Sequence, residues 1–275
     1  MNIDRKKLFL WLVMLLVMPA AAEIYRWQDA AGKTHYSDRP HAGARPVQVD
    51  PGTTYYRVNT VYDGDTIRLQ NGLKIRLLGI NTPEVEGRNK TAKTGGEQAK
   101  QWLQRVLSGR KIRLEYDDDK KDKYGRSLAH VFTDAGQHVN LQLVREGLAI
   151  ANIHPPNLRY SEALLAAQRQ AQAENPGIWG YPEYQPKPIE SLLQGRRKGW
   201  QRLTGRVSKV RNSRKFSYLE FSRNIDARIE RRFLYLFPDL QQYVGREIVI
   251  SGWPNRRKEH FSILLRHPSA IEVLH

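Results

Sequence analysis

The sequence predicts an α+β, mainly β protein: an OB-type five-stranded β-barrel with packed helices, followed by a second small OB-like β-barrel. Three observations lead there. Over residues 56–181, short runs of apolar and β-branched residues are punctuated by Asp-Gly and Asn-Gly turns. Helix-period stretches sit between and after those runs, and short strands return beyond a proline-rich stretch at 182–188.

At the amino terminus, Arg5, Lys6 and Lys7 precede an unbroken apolar run of 11 residues, positions 8–18, followed by Pro19-Ala20-Ala21-Ala22. The run is too short for a helix to cross about 30 Å of hydrocarbon, and its small-residue end reads as a cleavage site after Ala22. Residues 1–22 are therefore expected to be a signal peptide. The protein is then exported, either periplasmic or secreted, with no stable membrane insertion after cleavage; an uncleaved anchor is the alternative. The chain has no cysteine, which excludes disulfides, thiolate metal sites and a cysteine nucleophile. The remaining length suits two or three modules, each stabilised by buried apolar surface.

Residues 23–50 read as a small β-hairpin domain, with Tyr25 and Trp27 alternating on one strand, Gly32 in the turn, and Thr34 and Tyr36 returning on the other. Residues 56–181 form the main module. Strands are expected at 58–62, 66–69, 73–80, 111–116 and 128–132, with turns at Asp63-Gly64 and Asn71-Gly72. Helices are expected at 97–107, with Trp102, Leu103, Val106 and Leu107 inward, at 139–148, and at 161–173, where Ser161 is the expected cap. Five such strands with helices packed against them follow the OB-type Greek-key plan. Residues 182–188 read as an extended linker. Residues 189–275 form a basic module with strands expected at 203–210, 216–221, 232–237, 247–253, 261–265 and 270–273.

The chain carries 45 Lys+Arg against 28 Asp+Glu, a formal charge of +17. An acidic polymer is the natural partner of such a surface, because phosphate backbones bind through counterion release largely regardless of base sequence. A merely soluble cationic protein has the same composition, so the chemistry must come from motifs. Three stand out: Asp63-Gly64-Asp65-Thr66; the stretch from Arg76-Leu77-Leu78-Gly79 through Asn81-Thr82-Pro83-Glu84; and Asp122-Lys123-Tyr124-Gly125-Arg126. Cleaving a phosphodiester adds charge at phosphorus, which calls for cations, and it needs a group to orient water. Arginine's planar fork can hold two phosphate oxygens at once. Plainer readings stay open at this point: turn chemistry for Asp63 and Asp65, solvation for Glu84, and salt bridging for the arginines. There is no Gly-rich phosphate loop, histidine cluster or serine-histidine triad.

Taken together with Leu143-Val144-Arg145-Glu146-Gly147-Leu148-Ala149, these motifs make residues 56–181 resemble the thermonuclease, or staphylococcal nuclease-like, family. The resemblance implies a metal-dependent phosphodiesterase, a thermonuclease-like endonuclease acting on DNA and RNA, with single strands preferred. It places a calcium ion on Asp65, Asn81 and the backbone carbonyl of Thr82, a general base at Glu84, and phosphate-clamping arginines at Arg76 and Arg126. Lys123 and Tyr124 then border the phosphate path, and His154 replaces a tyrosine that packs on the nucleotide base. Asn81 departs from the family's carboxylate. An amide oxygen coordinates without charge, so weaker metal binding is expected.

Residues 23–50 resemble a domain of unknown function found behind the signal peptides of exported bacterial proteins, and 189–275 resemble OB modules attached to some bacterial nuclease-like proteins. In the latter, Arg214-Lys215-Phe216 and Arg231-Arg232-Phe233 interleave charge with aromatics, as in single-strand binding. Core aromatics with solvated charges between them give the same pattern. A monomer is expected. Two competing readings remain: a non-catalytic envelope or extracellular nucleic-acid-binding protein with a degenerate nuclease site, and a peptide-binding module, which the retained arginines and acids disfavour.

Overall fold

The computed structural model describes residues 24–29, 31–37, 39–40, 42–47, 54–87, 91–195 and 199–274. The expected signal peptide, residues 1–22, lies outside the described residues. Among the described residues no helix is long and apolar enough to cross a membrane.

The chain divides into two units, residues 1–53 and 54–275. In the first, β1 (Ile24–Gln28) pairs antiparallel with β2 (Thr34–Ser37) on one side and β3 (Arg45–Val47) on the other. The expected hairpin is thus present, but it is completed by a third strand. That strand has Pro46 at its centre and only three residues, too little alternation to register as a strand in the sequence.

The second unit opens with β4 (Tyr55–Asp63), β5 (Thr66–Leu69) and β6 (Lys74–Leu77), continues through the short β7 (Ile80–Asn81) and helix α1 (Gly96–Leu107), then β8 (Lys111–Glu115) and β9 (Ser127–Thr133). These close into a five-stranded barrel in the order β4-β5-β6-β9-β8. Ile67, Leu69, Ile75, Leu77, Ile112 and Val131 point inward. Leu103 and Leu107 of α1 cap that core, as the helix period predicts, with Trp102 and Val106 packed at its edge.

The strand expected to run unbroken over 73–80 is interrupted. Gly79 adopts φ +72°, a left-handed conformation open to glycine at little cost, and the chain turns there. The break is pinned by Asn140, which is fully buried: it accepts from the Val131 amide at 2.9 Å and donates to the Leu78 carbonyl at 2.8 Å. A mostly apolar run carries no mark of such a bend in sequence.

Helix α2 (Val139–Arg145) is shorter than expected and ends ahead of Gly147 at φ +64°. Strand β10 (Ile150–Ala151) then pairs with β7, placing Ile150 opposite Asn81. Helix α3 (Ser161–Glu174) starts one residue after its cap position, which is held by Tyr160. Ser161 is therefore not the cap; its hydroxyl donates to the Leu158 carbonyl at 2.8 Å.

Residues 182–188 do not form a free extended linker. Pro182–Tyr184 is a 3-10 turn, and β11 (Lys187–Pro188) pairs parallel with β12 (Gln201–Arg206). Tyr184 donates to the Thr94 carbonyl at 3.0 Å, and Trp200 packs with Trp179 and Tyr184. Tyr184 between the prolines and the buried Ile189 just after them supply the apolar surface that ties this mostly exposed segment to the fold.

The carboxy-terminal module continues with β13 (Lys209–Asn212), β14 (Phe216–Ser222), β15 (Ile225–Glu230), β16 (Glu247–Gly252), β17 (Pro254–Arg257), β18 (His260–Leu265) and β19 (Ile271–Val273). It is β-rich as expected. The strands form two sheets, β11-β12-β16-β19 and β13-β14-β15-β18-β17, around one core that includes Leu203, Leu219, Ile229, Ile250 and Ile263. The strand expected at 232–237 is instead a 3-10 helix, Arg231–Leu236, and the strand beside it is β15. In β15 the inward residues Ile225, Ala227 and Ile229 alternate with Asp226, Arg228 and Glu230, a pattern that the more apolar Phe233 and Leu234 outshone in sequence.

Candidate active site

The turn between β4 and β5 presents Asp63 and Asp65, and Gly64 between them is a close-packing requirement. A Cβ there would lie 2.7 Å from the Thr82 methyl and 2.6 Å from the Ala99 side chain. The turn thereby lies directly against Thr82. Asp65 is 5% exposed, and its Oδ2 accepts from the Thr82 amide at 2.8 Å and the Thr82 hydroxyl at 3.1 Å.

On β6, Ile75 and Leu77 face the barrel core while Arg76 faces the other way, paired across the ladder with Thr66. Its guanidinium forms an ion pair with Asp65 Oδ2 at 2.6 Å and donates to Asn81 Oδ1 at 2.9 Å. Asn81 in turn donates to the Thr82 carbonyl at 3.0 Å. Asp65, Arg76, Asn81 and Thr82 are therefore one hydrogen-bonded group. Burial drives the Asp65 carboxyl above its usual range; the Arg76 charge and the Thr82 amide oppose that push, and Asp63 adds to it. A carboxylate in this position gains from any further positive charge beside it.

Arg126 reaches the same region from the loop before β9. Asp122 shapes that loop: its Oδ1 accepts from the amides of Tyr124 and Arg126, both at 2.9 Å, and its Oδ2 takes Arg126 Nε at 2.7 Å. Burial works against ionised Asp122, but these hydrogen bonds and the Arg126 charge outweigh it and hold the group below its usual value. Arg126 is thus anchored through Nε. Its terminal amino groups make no hydrogen bond among the described residues.

Arg76, Arg126, Lys123, Tyr124 and His154 line one cavity of ≈ 370 Å³. Tyr124 stands on its rim, 73% exposed, with Lys123 Nζ 5.0 Å from the ring centre. His154 bonds to Asn152 at 3.1 Å. Enclosure of its ring within the cavity wall, with Arg266 and Arg76 nearby, pushes His154 down to about 4. The residue as a whole sits at the surface, and the two arginine charges favour the same neutral form. At neutral pH it offers a flat uncharged ring.

Glu84 is half-buried and lines a second cavity, of ≈ 170 Å³, together with Asn81, Thr82, Lys93, Trp200 and Trp253. Its backbone is fixed by the Lys93 amide, which donates to the Glu84 carbonyl at 2.8 Å. Asn81 faces this cavity while accepting from Arg76 of the first. The structure therefore unites Asp65, Arg76, Asn81 and Thr82 directly, sets Arg126, Lys123, Tyr124 and His154 on a shared cavity with Arg76, and puts Glu84 in the neighbouring cavity with Asn81.

Sequence reasoning passed over Asp122 and Arg266. Asp122 lies inside the Asp-Lys-Tyr-Gly-Arg motif, where an Asx turn onto Tyr124 was readable from its position ahead of Lys-Tyr-Gly. Arg266 reaches the cavity from far along the chain and carries no local signal.

The family description "Staphylococcal nuclease homologue" matches residues 74–181. "Domain of unknown function (DUF4124)" matches residues 12–55. A thermonuclease of Staphylococcus hyicus is 40% identical over 127 residues, 45% of this chain and 75% of its own length. The Staphylococcus intermedius thermonuclease is 39% identical over the same length, and endonuclease YncB of Bacillus subtilis (strain 168) is 36% identical over 162 residues, 57% of this chain and 76% of its own. The chain belongs to the thermonuclease family.

Calcium, implied by membership of the thermonuclease family, can be weighed against the donors present. Asp65, Asn81 and the Thr82 carbonyl offer only oxygen, which suits a hard divalent cation. Among the described residues no group of three or more Asp, Glu, His or Cys side chains could hold a metal. The donors fit Ca²⁺ by type, with Asp65 as the buried charge and the rest neutral, which is a recipe for a weakly held ion.

Proposed function

We propose that this protein is an exported, calcium-assisted nuclease that hydrolyses phosphodiester bonds of DNA and RNA, favouring single strands and acting as a monomer. One observation carries the reading: Arg76, locked to Asp65 and Asn81, and Arg126, anchored by Asp122, open onto one cavity. Two fixed guanidinium groups facing one space suit a phosphate, whose oxygens gain negative charge as water attacks. Arg126 brings two terminal amino groups that meet the non-bridging oxygens. Arg76 adds a second charge and keeps Asp65 and Asn81 in register. Calcium, when held by Asp65, Asn81 and the Thr82 carbonyl, would supply positive charge beside the phosphate and a place for water. Glu84, adjoining Asn81 and Thr82, would take a proton from the attacking water or orient it. Neutral His154 and the exposed Tyr124 ring give bases a surface to stack on without reading their edges, which supports broad specificity and single strands.

Export rests on the charged and apolar pattern of residues 1–22. The test of the whole reading is digestion of a single-stranded oligonucleotide with calcium and with chelator. Cleavage that needs calcium and is lost in Glu84→Gln supports it. Intact oligonucleotide at high protein concentration, with binding retained, overturns it in favour of a non-catalytic binder.

A further inference from the structure

Arg266, which follows the last residue of β18, lines the ≈ 370 Å³ cavity beside Arg76 and Arg126. It comes from the carboxy-terminal module, yet it faces the barrel's site. The side chain is half-buried and makes no hydrogen bond or ion pair among the described residues. A partly desolvated guanidinium without a carboxylate is costly unless an anion meets it. Burial holds it below the usual arginine value; Glu230 opposes that push, and Arg228 adds to it.

The sheet behind Arg266 continues the pattern. The ladder places Arg211 opposite Tyr218, Tyr218 opposite Arg228, and Arg228 opposite Leu264, so these four form a row across β13, β14, β15 and β18. Leu264 is two residues from Arg266, on the face away from the buried Ile263 and Leu265. Arg211 lies 3.9 Å over the Tyr218 ring and Arg228 5.3 Å from the Phe216 ring, and the Arg228 Nε is buried without a hydrogen-bond partner. Arg211, Tyr218 and Arg228 line a groove of ≈ 440 Å³. Glu220 pairs with Arg211, as Asp122 does with Arg126, and fixes its direction.

We propose that the outer face of β13-β14-β15-β18 is a binding track for a single-stranded polynucleotide, with Arg266 holding the phosphate next to the one being cut and Arg228 and Arg211 holding phosphates further along. The inference rests on the nuclease reading for which phosphate is cut, though not for binding itself. Three interstrand steps of about 4.8 Å span about 14 Å, room for a few nucleotides. Tyr218 stands between Arg211 and Arg228 in the row and Phe216 lies near Arg228, so rings for bases stand beside charges for phosphates. Arg266 is a substrate-positioning residue, and the carboxy-terminal module becomes part of the site.

The test is fluorescence anisotropy of labelled dT20 and dT3 with the full chain in chelator, over a range of salt. Arg266→Ala and Arg228→Ala should each weaken dT20 binding by about 3- to 10-fold and flatten the slope of log affinity against log salt by about 0.7, the share of one single-strand phosphate. The loss for Arg228→Ala should be smaller with dT3 than with dT20. Arg266→Lys, which keeps the charge, should retain most of the slope, and thermal unfolding of each variant separates lost contact from lost fold. Unchanged dT20 affinity and slope in folded Arg266→Ala and Arg228→Ala overturns the track. If the unmodified protein binds in this way but cleaves nothing, the nuclease reading fails and the track stands; if it cleaves with calcium while both variants bind normally, the track alone fails.

Discussion

The barrel and the carboxy-terminal sheet both display arginines, and they fix them differently. In the barrel site each arginine is braced by a carboxylate: Arg76 by Asp65 at 2.6 Å and Arg126 by Asp122 at 2.7 Å. On the sheet, Arg211 has both a carboxylate, Glu220, and the Tyr218 ring against it, while Arg228 lies near the Phe216 ring with its Nε buried and unpaired. A carboxylate brace sets the direction of a guanidinium to within a hydrogen bond, as chemistry at one phosphorus requires. A ring leaves the charge able to slide over its face, which suits holding a strand whose bases vary. The contrast is clearest between Arg126, held by Asp122, and Arg228, which has a ring beside it and no carboxylate partner among the described residues.

The sharpest way to break this contrast is Arg126→Ala. If its free terminal amino groups meet charge that develops only during attack, kcat on single-stranded DNA should fall by about 10²- to 10³-fold with KM little changed. A fall in affinity alone would make Arg126 no different from the sheet arginines. Next comes Asp122→Ala, which leaves the Arg126 charge in place but removes its brace. Misdirection should cost up to about 10²-fold in kcat, and Asp122→Glu should recover part of it. If Asp122→Ala is harmless, bracing is not what distinguishes the barrel.

A third prediction concerns the fold beneath the site. Asn140→Ala strands the Val131 amide and the Leu78 carbonyl in the barrel interior, and should lower stability by about 2 to 4 kcal/mol in urea unfolding. A change below about 0.5 kcal/mol would mean that the bend at Gly79 holds itself. The fourth is smaller and falls on the barrel. Burial pushes His130 and His138 down to about 4, with their ring neighbours Phe132 and Tyr160 closing the cluster. The folded form then binds fewer protons than the unfolded chain between about pH 6.5 and 4. Stability is complete above that window and declines as pH falls through it. Melting temperature followed from pH 7 to 4 should drop across that range, and a flat profile would show that the histidines are not held neutral.

Legibility differed between the regions for the same physical reason. The barrel strands were readable because Asp63-Gly64 and Asn71-Gly72 punctuate them and apolar residues alternate between them. Candidate residues of the site were readable because they stand in three compact motifs whose order matches a known family. What escaped was long-range: the interruption at Gly79, pinned by Asn140, which reaches the Leu78 carbonyl from 62 residues away in sequence; the packing of residues 182–188 against Trp200; and the arrival of Arg266 in the barrel's cavity. In the carboxy-terminal module, residues 232–237 suggested a strand, whereas the sheet took the less apolar Ile225–Glu230 because its inward positions are Ile, Ala and Ile. Short motifs survive in a sequence, and contacts between modules do not.

The most direct measurement is a crystal structure of the protein soaked with calcium and a nucleoside 3′,5′-bisphosphate. The account predicts one phosphate of the ligand between the guanidinium groups of Arg76 and Arg126, with its base toward His154 or Tyr124. A bisphosphate bound only on the carboxy-terminal sheet, with Arg76 and Arg126 untouched, would contradict it.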